Sequence, residues 1–173
     1  MSFKVLQMRK AEIDNNYSQM NQAIESVEYC SYNQETGVTT GCNKNGTSIF
    51  ELHDEDNNGI NEYYRLNYGL TNTYECWYDN ETGNRTKSIY NGITYEYDSN
   101  GNVSSETYSI DGGIVRTDYN DNGYVYTLDD NSDGVADYIS TYEKDENGNM
   151  TLANKEDARP FIKKVSDFFS NLF

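Results

Sequence analysis

"TYEYDSNGN", residues 94–102, returns as "TYEKDENGN" at 141–149, an offset of 47. Within the first copy Ile93, Tyr95 and Tyr97 alternate with Thr94 and Glu96, the period of a strand with one face turned inward. Asp98 to Gly101 then supplies turn chemistry, because Asp and Asn bond their own backbone and Gly accepts a left-handed conformation. A second pair has nearly the same offset: "EYCSYNQETG" (28–37) and "YECWYDNETG" (74–83) lie 46 residues apart. Between and beyond them glycines form two interleaved series. One is Gly37, Gly59, Gly83, Gly101, Gly123 and Gly148; the other is Gly46, Gly69, Gly92, Gly112 and Gly134. Turns every ~11 residues, alternating between two ends, describe an antiparallel meander with two hairpins per repeat. The expected fold is therefore mainly β: about eleven short strands over residues 28–154, with a helix on either side.

Composition sets the limits around this core. Leu, Ile, Val and Phe make up 31 of 173 residues, and the formal charge is −16 from 29 acids and 13 bases. That balance borders on disorder, but 17 tyrosines offset it with large rings that suit strands. A thin, tyrosine-rich core is the expectation. An acidic chain does not bind phosphate backbones, so nucleic acid is excluded as a partner. No stretch approaches the 18 apolar residues of a transmembrane helix, and the start shows no apolar signal-peptide region.

The flanks read as helices. Over residues 1–27, Ile13, Tyr17, Met20, Ile24 and Val27 recur at steps of four and three, with Leu6 one heptad earlier and Lys10 interrupting. Such a helix either lies on the sheet or associates with a second copy through residues 6–27. Over 155–173, Phe161, Ile162, Val165, Phe168, Phe169, Leu172 and Phe173 fall on one side of a helix, with Asp157 as a cap and Pro160 in the first turn. This segment either closes the sheet or docks on a partner. An apolar C-terminal helix is similar to the export signals of type I secreted bacterial proteins.

Two acidic turns carry more than turn chemistry. Asp54, Asp56, Asn58, Gly59 and Glu62 occupy positions 1, 3, 5, 6 and 9 of a loop, as do Asp129, Asn131, Asp133, Gly134 and Asp137. A hard cation such as calcium takes six to eight oxygens from a loop bent sharply at a glycine in position 6. Ile60 and Val135, at position 7, would each offer a carbonyl. A metal-free turn is the competing reading. The two loops resemble the first nine positions of EF-hand, dockerin and thrombospondin type 3 calcium loops. They depart at position 12, where Arg65 and Ser140 stand instead of a bidentate Glu. The resemblance therefore implies an incomplete cage and an affinity of roughly 10⁻⁴–10⁻³ M, as in extracellular modules.

The Tyr-x-x-Asp-x-x-Gly rhythm of "ITYEYDSNGNVSSETY" and "ISTYEKDENGNMTLA" resembles the YD repeats of Rhs-type bacterial proteins. The resemblance covers residues ~90–153 well and ~28–90 loosely. Lys144 replaces the tyrosine in the last copy. It implies a β shell or surface structure that wraps or binds without catalysis. Tyr/Gly meanders of the MORN type have a similar period, but their signatures are missing here.

Chemistry-bearing residues are few. A three-residue loop, Glu35-Thr36-Gly37, would set Cys30 opposite Cys42 and allow a disulfide in an oxidising compartment, two free thiols being the alternative. Cys76 is left odd. His53, the single histidine, stands beside Asp54 with no motif supplying a nucleophile. The sequence thus describes a non-enzymatic, acidic surface or interaction module of bacterial type. It acts outside the cell with calcium tightening its turns, or in the cytoplasm as an immunity- or chaperone-like protein binder. A carbohydrate-binding module is the other alternative, its exposed tyrosines stacking on sugars. The protein or glycan partner is not named by the residues.

Overall fold

A computed structural model describes residues 18–68, 72–160 and 164. Twelve strands follow one another: β1 (Tyr29–Asn33), β2 (Val38–Cys42), β3 (Ser48–His53), β4 (Tyr63–Tyr68), β5 (Asn72–Tyr78), β6 (Arg85–Tyr90), β7 (Ile93–Tyr97), β8 (Val103–Ile110), β9 (Gly113–Asn120), β10 (Gly123–Asp129), β11 (Tyr138–Lys144) and β12 (Met150–Asp157). One short helix, residues 18–25, precedes them. The chain forms two compact units, residues 1–91 with β1–β6 and 92–173 with β7–β12. Within each, consecutive strands pair antiparallel, the meander expected from the repeat. The described residues form twelve strands rather than about eleven, since eleven glycine turns separate twelve strands, and the last runs on to Asp157.

The first unit has a small core on one sheet face. Ile49, Leu66 and Tyr68 are buried, with Tyr64, Tyr74 and Tyr90 packed around them. Tyr64, Leu66 and Tyr68 share that face by alternation, as expected. The helix covers it with Met20 and Ala23, and Val27 just beyond it joins the contact. Ile24, assigned to the same stripe by heptad spacing, points away and is 48% exposed. The contacting set steps by three and then four, so Met20 and Val27 of the expected stripe do face the sheet, and the correction is that Ala23 rather than Ile24 stands between them. The rest of that stripe, with Leu6, Ile13 and Tyr17, lies outside the described residues.

The cysteine register differs from the expectation. Asn33 Oδ1 accepts the backbone N–H of Glu35 at 2.9 Å, so Asn33 closes the turn and Gln34 joins it. The loop then has four residues, and Asn33 pairs with Val38. This slip sets Cys30 opposite Gly41 and Cys42 opposite Tyr29, and all three cysteines are free. Cys30 is exposed and Cys42 buried, so no Cys30–Cys42 disulfide forms. Cys76 is fully buried, its Sγ 2.8 Å from the hydroxyl of Tyr74, whose ionisation is strongly disfavoured by burial and by that contact.

In the second unit Val115, Thr117 and Ser105 are buried within the sheet. Tyr124 stacks on Tyr142 at 4.7 Å between centroids, and Tyr119 leans on Tyr124 at 6.2 Å. The repeat is visible in the turns. Asp98 Oδ1 accepts the N–H groups of Asn100 and Asn102, each at 2.9 Å. Asp145 does the same for Asn147 and Asn149, each at 2.8 Å.

Asp157, expected to cap a C-terminal helix, is instead the last residue of β12 and forms a fork with Arg159 at 2.7 Å. Of the segment 161–173 only Lys164 is described; it is helical, with its N–H on the Pro160 carbonyl. The remainder of the expected helix and its apolar side lies outside the described residues. Hydrogen bonds from Arg159 hold the Asp157 carboxyl down at about 2. A depressed folded pKa contributes stability above the unfolded value near ~4 and loses it as pH falls through about 2. Arg159→Gln is therefore expected to melt slightly below the parent at pH 7. The gap should close toward pH 2, read by thermal melts across that range.

Candidate metal centre

The two acidic loops fold alike. Each starts with an Asp whose carboxylate caps the backbone of the bend. Asp54 Oδ1 accepts the N–H of Asn58 at 3.0 Å and Oδ2 that of Gly59 at 3.0 Å. Asp129 Oδ1 accepts Asp133 N–H at 3.3 Å and Oδ2 that of Gly134 at 2.8 Å. Position 3 bonds position 5 in both, Asp56 to Asn58 at 3.1 Å and Asn131 to Asp133 at 2.9 Å. Position 5 bonds position 7, Asn58 to Ile60 at 2.7 Å and Asp133 to Val135 at 2.8 Å. Position 9 reaches back to position 2, Glu62 to Glu55 at 3.1 Å and Asp137 to Asp130 at 2.8 Å.

Backbone conformation follows the same plan. Positions 4 and 6 are left-handed in both loops: Asn57 and Gly59 at φ 57° and 87°, Ser132 and Gly134 at φ 59° and 86°. Asn is among the few side chains that tolerate this region, and Gly enters it without penalty. Spacing in the sequence identified the two loops, and geometry makes them one conformation.

They differ in how far the carboxylates converge. Among the described residues one group of three acidic ligand atoms lies within 4.8 Å of one another: Asp54, Asp56 and Glu62. Glu62 Oε1 is buried with no hydrogen-bond partner. A carboxylate oxygen without a donor is an acceptor left for a cation. The Asp54, Asp56 and Glu62 carboxylates thus fit a hard cation. In the second loop Asn131 replaces an acid at position 3, and Asp137 is one methylene shorter than Glu62. Asp129 and Asp137 are 7% and 3% exposed. Burial pulls Asp129 toward the neutral form, but the N–H groups of Gly134, Asn131, Asp133 and Ser132 outweigh it and lower the pKa. The second loop, with Asp129, Asn131, Asp133, the Val135 carbonyl and Asp137, is a pre-shaped turn whose acids serve mainly its own backbone.

The first loop is also braced from both sides, which sequence spacing missed. The Asp54 N–H donates to the Gly37 carbonyl at 3.1 Å. Tyr32 donates its hydroxyl to Asn57 Oδ1. Asn80 Oδ1 accepts from Asn58 Nδ2 at 2.6 Å, and Asn80 Nδ2 donates to Asp56 Oδ2 at 3.0 Å. The signal was present in the repeat: "NQETG" and "DNETG" turns sit after β1 and β5, at the same end as the loop after β3.

His53 ends β3 as expected, its ring edge-on to Tyr63 at 5.0 Å. Tyr63 meets Trp77 at 5.2 Å, and Lys87 Nζ lies 4.7 Å from the Trp77 ring. This row crosses the sheet face opposite the Leu66 core. No helix of the described residues is long and apolar enough to cross a membrane. No family model, curated protein or solved structure matches the chain.

Proposed function

We propose that the protein is a non-enzymatic, acidic interaction module whose first acidic loop binds calcium and thereby stiffens one end of its sheet. The single observation that carries this reading is the convergence of Asp54, Asp56 and Glu62, with Glu62 Oε1 buried and unpartnered. Calcium there would gain side-chain oxygens from Asp54, Asp56, Asn58 and Glu62 and the Ile60 carbonyl. It would draw these carboxylates off mutual repulsion in a chain of net charge −16. The second loop is the weaker site, held by Asp129, Asn131, Asp133, Val135 and Asp137. With affinities of roughly 10⁻⁴–10⁻³ M, both fill only where calcium is plentiful, which supports a working place outside the cell or on its surface. The YD-repeat resemblance supports the same surface role.

Calorimetric titration with calcium tests the assignment. One dominant site is expected, and Glu62→Gln should weaken it by roughly tenfold, about 1.4 kcal/mol. Asp129→Ala/Asp133→Ala should leave that dominant site in place. Heat of binding unaffected by Glu62→Gln would sink the assignment. A second reading, a carbohydrate-binding module, is favoured by the His53–Tyr63–Trp77 row, since such rings stack on sugar faces. A glycan panel separates the two, with binding lost in Trp77→Ala under the sugar reading.

A further inference from the structure

We propose that the chain assembles head to tail, the outer edge of β12 pairing antiparallel with the outer edge of β1 in a second copy. The sequence repeat places β1 in register with β5 and β7 with β11, so its period is four strands. β12 follows β11 as β8 follows β7, and the far edge of β8 is taken by β9. β1 stands where β5 stands, and the far edge of β5 is taken by β4. The next strand in phase after β12 is therefore one of the β1 type. Twice within the chain a strand of β12's phase already pairs antiparallel with a strand of β1's phase, as β4 with β5 and β8 with β9.

Among the described residues no strand pairs with the outer edge of β1 or of β12. All five residues of β1 are exposed, and all but the last of β12. Apolar side chains stand on each: Tyr29 and Tyr32 at 49% and 54% exposed, Met150 and Leu152 at 46% and 52%. β1, Tyr-Cys-Ser-Tyr-Asn, carries none of the lysine, proline or bulge that natural edges use against pairing. β12 is partly guarded by a bulge near its middle and by Lys155. Joining two different edges makes a heterologous contact, which grows past a dimer as an open chain or closes into a ring. The charge of −16 on each copy opposes contact, which makes assembly dependent on salt or on a bound cation.

Sedimentation velocity over a concentration series, at low salt and at about 0.5 M NaCl where screening shortens to about 4 Å, reads this directly. Species beyond the dimer are expected at high salt. The Ala158 N–H donates to the carbonyl of Asp137, just before β11, so alternation along β12 turns the Lys155 N–H outward. Lys155→Pro removes that outward donor without a β11 bond and should leave the protein monomeric, with unchanged circular dichroism. If that variant does not fold, Leu152→Glu replaces an exposed apolar side chain of the β12 edge with a further negative charge between like-charged copies and should give the same loss. A monomer under all conditions overturns the proposal. So does growth indifferent to both variants, or a series that ends at a dimer trapped by oxidation of the exposed Cys30, which would signal β1 pairing with β1.

Discussion

Gly37→Ala is expected to lower the melting temperature by at least ~5 °C and to remove the calcium binding proposed for the loop after β3. Gly37 has φ 65°, a left-handed conformation that costs an L side chain roughly 1–2 kcal/mol. The larger effect is steric. A Cβ at this position falls onto the Asp54 carbonyl oxygen, with the Glu55 Cα at 3.2 Å. The Asp54 N–H also donates to the Gly37 carbonyl at 3.1 Å, so the two backbones cannot separate without losing a bond. Position 1 of the acidic loop must then shift, and its Oδ atoms leave the N–H groups of Asn58 and Gly59. Each kcal/mol lost corresponds to a few degrees in a chain of this size. A thermal melt measures the first consequence and a calcium titration the second. Unchanged melting with intact binding would show that the turn and the loop are not coupled.

Leu66→Ala has the second large effect, about 2–5 kcal/mol, and a drop of roughly 10 °C in the melting temperature. Leu66 is 1% exposed, between Tyr64 and Tyr68 along the strand and opposite Phe50 and Tyr74 across it. In a deep core, neighbours share such a loss. Here the buried hydrophobic side chains of the described residues are few: Cys42, Ile49, Leu66, Tyr68, Cys76 and Val115. Against a total stability of about 5–15 kcal/mol, one leucine is a large fraction. Denaturant unfolding of the purified variant gives the number. A change below ~1 kcal/mol would mean that the tyrosine rings around it close the gap.

What the sequence made legible was whatever depends on local chemistry. Alternation in Ile93–Tyr97 and Tyr64–Tyr68, and turn residues at Asp98 and Asp145, are decided within a few residues. The meander and its four-strand period follow from them. What depended on one-residue accuracy was not legible. Loops of Glu35–Gly37 and Gln34–Gly37 differ by a single residue and share the same turn spelling; the longer one forms, with the Asn33 side chain on the Glu35 N–H, and the cysteines slip apart. The heptad stripe failed at Ile24 for a related reason, since a short helix on a sheet turns only one narrow face inward. The acidic loops were found by spacing, yet their inequality was not. It goes with one methylene at position 9, an acid at position 3 rather than position 5, and bracing by Tyr32 on β1 and Asn80 in the turn after β5.

The central claim is that Asp54, Asp56 and Glu62 form a calcium site, and a thermal melt tests it most directly. The protein is melted in about 5 mM calcium, in magnesium at the same concentration, and in excess chelator. With an affinity of roughly 10⁻⁴–10⁻³ M, calcium should add about 1–2 kcal/mol, a rise of a few degrees. Magnesium should add little, because it demands a tighter octahedral shell than this loop supplies. Asp54→Ala/Asp56→Ala should erase the rise. Identical melts in calcium, magnesium and chelator would contradict the account and leave the loop a turn that folds on its own hydrogen bonds.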